Sequence, residues 1–115
     1  MGNAVTWFEV VGKDGPALQK FYSDAFGWQL QDPANMGYGM LMQPEKGIGG
    51  GIGQAPDGSE HVTFYVEVDD PQAALDKIEQ LGGKTVMPPS EPMEGTRIAL
   101  FADPEGHVVG IAKGM

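Results

Sequence analysis

Few side chains in this sequence are equipped for chemistry. It carries two histidines, His61 and His107, and no cysteine, which excludes thiol nucleophiles, thiolate metal sites and redox switches. Neither histidine is tied by sequence to a particular serine, so no nucleophile triad emerges. Both fall at strand entrances, where an exposed or turn-capping role is expected. What stands out is an aromatic residue followed two positions later by a carboxylate, once as Trp7 and Glu9 in Val5–Val11 and again as Tyr65 and Glu67 in Val62–Val68. Residues two apart on a strand share a face, so each segment offers a ring for stacking beside a group that orients a polar atom or accepts a proton. The plainer reading of both carboxylates is a solvated strand end. Gly47-Ile48-Gly49-Gly50-Gly51-Ile52-Gly53 lacks the Lys-Ser/Thr ending of a phosphate loop and opens no helix, so it is expected to be a strand that backbone or ligand approaches closely. Met36, Met40, Met42, Met87 and Met93 lie in or beside short strands and their loops. Thioethers adapt to irregular apolar shapes, so Met40 and Met42 are expected either to contact a ligand or to fill the core.

The elements that must position these residues are punctuated clearly. Val5–Val11 is rich in β-branched and aromatic residues, as a strand should be. Asp14-Gly15-Pro16 then reads as a helix entry, Leu18, Phe21, Tyr22, Ala25 and Phe26 fall on one helical stripe, and Gly27 supplies the stop. Three short strands are expected next: Trp28–Gln31, Tyr38–Met42 and Ile48–Gly53. From His61 the same order recurs. Val62–Val68 is a strand, Asp70-Pro71 opens a helix with Ala74, Leu75, Ile78 and Leu81 as its buried stripe, and Gly82-Gly83 ends it. Lys84–Met87, Arg97–Phe101 and Val108–Ala112 follow, the last two joined by the turn Asp103-Pro104-Glu105-Gly106. The offset from Pro16 to Pro71 is about 55 residues, a spacing typical of repeated structural units. The expectation is a single α+β domain over 1–115 made of two tandem βαβββ modules, 4–54 and 61–113, joined by a linker over 55–60. Eight strands would form a curved mixed sheet with the helices on its outer face.

Sixteen acidic residues against seven basic ones give a formal charge of −9. With cations this few and scattered, nucleic acid is not an expected partner, because binding it relies on phosphate neutralisation. No apolar run reaches membrane-spanning length, and Met1-Gly2-Asn3-Ala4 leads into the first strand without an export-like segment, so a soluble, cytoplasmic protein is expected.

Phe8-Glu9-Val10, Asp14, Phe21-Tyr22, Phe26-Gly27-Trp28, His61-Val62-Thr63-Phe64, Val68-Asp69-Asp70, Leu81-Gly82-Gly83 and Asp103-Pro104-Glu105-Gly106-His107 together resemble the vicinal oxygen chelate superfamily. It contains glyoxalase I, bleomycin-resistance proteins, fosfomycin-resistance enzymes, extradiol dioxygenases and methylmalonyl-CoA epimerase. Metal-using members hold a divalent ion through His or Glu on the inward faces of strands one, four, five and eight. The resemblance places Val5, a Gly/Ile strand around Ile48–Ile52, Thr63 and Gly110 at those positions, which together offer one hydroxyl at most. It therefore implies no metal and no other cofactor.

With Val5 and Thr63 inward, alternation turns Trp7, Glu9, Tyr65 and Glu67 inward and sends Phe8, Val10, Phe64, Val66 and Val68 towards the helices. The expected ligand-binding set is Trp7, Glu9, Met40, Met42, Thr63, Tyr65 and Glu67, with the Ala34–Gly37 and Pro88–Gly95 loops shaping the opening. The resemblance implies a metal-free cleft for a small hydrophobic or aromatic molecule, in a natural-product sequestration or resistance role, and a homodimer. The alternative it implies is a lyase, isomerase or dioxygenase, either metal-dependent or relying on Glu9 or Glu67.

Overall fold

The computed structural model describes residues 2–32, 37–42, 44–55 and 58–114. The elements run β1 (Val5–Val11), α1 (Gly15–Phe26), β2 (Tyr38–Leu41), β3 (Gly49–Gly53), β4 (His61–Glu67), α2 (Pro71–Gln80), β5 (Lys84–Met93), β6 (Thr96–Ala102) and β7 (Val108–Lys113). The class is α+β with mixed pairing. The chain divides into two compact units, 7–62, and 1–6 with 63–115. Seven strands form among the described residues where eight were expected. No helix among these residues is long and apolar enough to cross a membrane.

In the unit 7–62 the strand order is β2-β3-β1, with β3 parallel to β1 and antiparallel to β2. The missing strand is Trp28–Gln31. Its indole stacks on Tyr22 with ring centroids 5.9 Å apart and planes 9° from parallel, and it also meets Phe8 at 5.5 Å. Aromatic packing against α1 thus governs this segment, and only the bridge from Gln31 to Met40 remains of the expected pairing.

Helix α1 begins where the sequence indicates. The Asp14 carboxylate accepts the Ala17 N–H at 3.0 Å, and Gly27 closes the last turn at φ 73°, a conformation that costs glycine little. Gln19 ties the helix to the sheet by donating to the carbonyls of Gly37 at 3.1 Å and Ile52 at 3.0 Å. The expected apolar stripe is only partly covered, with Phe21 and Phe26 more than half exposed while Tyr22 packs inward on Trp28.

Strand β3 is built almost wholly of glycine, and its neighbours explain why. A β-carbon on Gly50 would stand 2.2 Å from the Phe8 ring, and one on Gly51 would stand 1.9 Å from the Tyr38 ring. Trp7 lies over Gly49 on the same face as Tyr38, with a ring carbon 3.1 Å from where a β-carbon would be. The close approach expected of this strand is therefore made by the protein's own rings.

The unit containing 63–115 orders its strands β4-β7-β6-β5, with β7 parallel to β4 and antiparallel to β6. Leu75 of α2 packs with Ala99 and Ile111, flanked by Val66, Val68, Ala74 and Phe101. The Asp70 carboxylate caps α2 through the Ala73 N–H at 3.2 Å. Leu81, expected in the buried stripe, is the helix C-cap and is 70% exposed. Strand β5 runs well past its expected end at Met87, straight through Pro88 and Pro89. It pairs only with β6 and shifts register repeatedly, an edge position that tolerates proline. This corrects the expectation of a loop over Pro88–Gly95, while 34–36 of the other expected loop, with Met36, lie outside the described residues.

If the rings of β1 and β2 require a bare backbone beneath them, Gly50→Ala overpacks against Phe8. It is expected to cost about 1–3 kcal/mol, read as a lower urea midpoint at unchanged slope.

Candidate functional site

Register places the site residues without reference to any ligand. On β1 and β3, Trp7 pairs with Gly49 and Glu9 with Gly51, while Met40 of β2 also pairs with Gly51. Trp7, Glu9, Tyr38 and Met40 therefore share one face of this small sheet, and Phe8, Val10 and Leu41 take the other, where Phe8 meets Trp28.

A directional hydrogen-bond chain converges on Glu9. The Trp7 indole N–H, which can only donate, gives its proton to the Tyr38 oxygen at 3.2 Å. The Tyr38 hydroxyl in turn donates to Glu9 Oε2 at 2.7 Å. On the other carboxylate oxygen, Oε1, the Nε2 of His61 lies 2.7 Å away, a charge-assisted contact. The two side chains are mostly out of water, His61 at 15% exposure and Glu9 at 13%. Facing a carboxylate at this distance, Nε2 carries a hydrogen, which leaves Nδ1 as the basic nitrogen of the neutral ring. Chemically, the arrangement is a phenol and an imidazole held on one anionic acceptor, with an indole donating to the phenol oxygen.

This overturns the expectation that His61 is exposed or caps a turn, and it shows Glu9 to be something other than a solvated strand end. Neither Tyr38 nor His61 was among the expected site residues. Alternation along one strand cannot reveal a partner 52 positions away. A phenol at the start of a strand facing a glycine-rich one was the available signal for Tyr38.

The remaining expected residues have other surroundings. Met42 lies beyond the end of β2 and is 48% exposed. Thr63, Tyr65 and Glu67 belong to the other unit. Thr63 is buried, with its hydroxyl donating to the Val108 carbonyl at 2.7 Å, and Tyr65 is 3% exposed over Gly110. Glu67 is exposed, and its carbonyl accepts from the Asn3 amide at 2.9 Å. His107 does take the expected turn role. Its N–H and that of Glu105 both bond Asp103 Oδ1 at 2.9 Å, and the His107 backbone bond chiefly holds the Asp103 carboxyl below its ordinary range. A small polar cavity lined by Asp69, Asp70, Pro71, Arg97 and Lys113 includes none of the expected ligand residues.

The positions that bear metal ligands in metal-using relatives do not fit an ion here. Val5 has no donor atom, and the Thr63 hydroxyl is spent on a carbonyl. A side chain at Gly110 would meet the Tyr65 ring at 2.4 Å, so an aromatic ring already occupies the space a ligand would need. Among the described residues no three His, Asp or Glu side chains gather closely enough to hold an ion.

Each unit carries a helix between a first strand and a last strand laid parallel to it, the next strand in being antiparallel. With the turn at Asp103–His107, this architecture is that of the vicinal oxygen chelate superfamily. More narrowly, the chain belongs to the family described as "Glyoxalase-like domain", whose model matches residues 9–112. A "Glyoxylase-like domain-containing protein" of Didymella fabae is 31% identical over 93 residues, covering 70% of this chain and 69% of that one. The "Anthracycline biosynthesis protein DnrV" of Streptomyces peucetius is 29% identical over 126 residues, covering 94% of this chain and 46% of its own length. The chain thus spans about half of that longer relative. In fold it is similar to a glyoxalase/bleomycin resistance protein/dioxygenase superfamily member from Vibrio splendidus 12B01, with a TM-score of 0.66 at 15% identity over 97% of this chain and 99% of that one.

The Tyr38→Phe variant removes a donor from a mostly buried carboxylate. It is expected to lower stability by about 1–3 kcal/mol in urea titration while leaving the far-ultraviolet spectrum unchanged.

Proposed function

We propose that the face bearing Trp7, Tyr38, Glu9, Met40 and His61 binds a small aromatic or apolar molecule carrying one polar group, without help from a metal. The observation that supports this most is the carboxylate of Glu9, mostly withdrawn from water, bonded by two donors and set two residues from an indole on the same face. An aromatic ligand stacks on the indole, and its polar group meets the Glu9–His61 pair. Met40 adapts to the remaining apolar outline. The family, together with a relative named for anthracycline biosynthesis, makes a planar polycyclic natural product the first class to try. The functional outcome is sequestration of such a compound.

The short Glu9–His61 contact also favours a second reading, in which the site moves a proton on its bound molecule, as a metal-free isomerase would. Exchange of an acidic C–H of the ligand with solvent deuterium, lost in Glu9→Gln, distinguishes it from simple binding.

In a Trp28→Phe background, Trp7 is the only indole. Planar polycyclic quinones are expected to quench its fluorescence saturably, and Glu9→Gln is expected to weaken binding roughly tenfold. Calorimetric titration of the Trp7→Leu variant is expected to show no binding. Absence of saturable quenching by every compound, in protein that remains folded, would contradict the proposal.

A further inference from the structure

We infer that the ligand of this face carries an acidic hydroxyl, phenolic or enolic, and that His61 takes its proton on Nδ1. The inference rests on the aromatic-ligand reading above and names the group by which that ligand is recognised.

The hydrogen-bond chain dictates this chemistry. Trp7 can only donate, so the Tyr38 hydrogen is turned towards Glu9, and Tyr38 and His61 each place a donor on that carboxylate. Because Nε2 supplies its hydrogen to the carboxylate, Nδ1 of the neutral ring is an acceptor with a lone pair. Among the described residues the imidazole makes its one hydrogen bond through Nε2, so Nδ1 has no protein partner there. An acceptor on a mostly buried ring calls for a donor on the ligand. An ether, a nitro group or a carboxylate would place lone pair against lone pair, whereas a hydroxyl gives it a hydrogen.

Proton transfer along that contact balances simply. The O–H bond of the ligand breaks, the N–H bond at Nδ1 forms, and the electron pair stays on the ligand oxygen as phenolate or enolate. The imidazolium so created lies between that anion and the Glu9 carboxylate, which is already 2.7 Å from its other nitrogen. The charged and titratable groups about His61 are Glu9 from β1, Tyr38 beyond it from β2, and the adjacent Glu60 of its own segment, which pairs with Lys13 at 3.9 Å near solvent.

The test uses two probes that differ by one methyl group, 4-nitrophenol and 4-nitroanisole, at a pH where free nitrophenol is mostly un-ionised. Wild-type protein is expected to raise the visible nitrophenolate band in step with quenching of Trp7, and to bind the anisole roughly tenfold more weakly. His61→Gln is expected to bind nitrophenol roughly tenfold more weakly, as wild-type protein binds the anisole, and to lose the band even at saturating probe. Equal affinity for the two probes with no phenolate band would overturn the inference and leave the aromatic site standing. Quenching by neither probe would remove the aromatic reading and this inference with it. The probe comparison on wild-type protein decides the matter even if His61→Gln fails to fold.

Discussion

A ring can rest on a strand only where no β-carbon stands beneath it, and successive residues of β3 provide that for three different rings. Phe8 lies over Gly50 on one face, while Trp7 and Tyr38 lie over Gly49 and Gly51 on the other. The two faces then have different tasks. Phe8 passes the contact on to Trp28 and so to α1, holding the helix to its sheet. On the opposite face Tyr38, seated over Gly51, reaches the carboxylate of Glu9 from β1. A larger residue at Gly51 would displace the phenol, and the chain from indole to phenol to carboxylate would lose its middle member.

The other unit shows the same device in a different use. Tyr65 of β4 covers Gly110 of β7, as Trp7 of β1 covers Gly49 of β3. In both cases the glycine lies on the strand that runs parallel to the first strand of its unit. Superfamily members that hold a metal place donor side chains at such positions. Here aromatic rings lie over Gly49 and Gly110 instead.

Local signals carried most of the fold and little of the site. Asp14 and Asp70 before Pro16 and Pro71, with Gly27 after the helix, act within a turn of the chain, and each does what its side chain or backbone allows. Runs of β-branched and aromatic residues likewise located β1 and β4 to within a residue, and alternation set Trp7 and Glu9 on a common face. Where tertiary contacts decide, the sequence was silent. Trp28 leaves its expected strand because α1 and Phe8 offer it rings to stack on, and Pro88-Pro89 remain in a strand because β5 is an edge. His61 looked like a strand entrance with no partner, since the residue that defines it stands on another strand.

The account stands on a phenol seated on glycine, and the indole N–H of Trp7 reports that seat directly because it donates to the Tyr38 oxygen. The decisive measurement is the ¹H–¹⁵N resonance of this indole in wild-type protein, in Tyr38→Phe and in Gly51→Ala. If a β-carbon at position 51 evicts the ring, Gly51→Ala moves the resonance as Tyr38→Phe does, with the Trp28 indole unmoved. A Gly51→Ala spectrum that keeps the wild-type Trp7 resonance, in protein where Tyr38→Phe shifts it, would contradict the account.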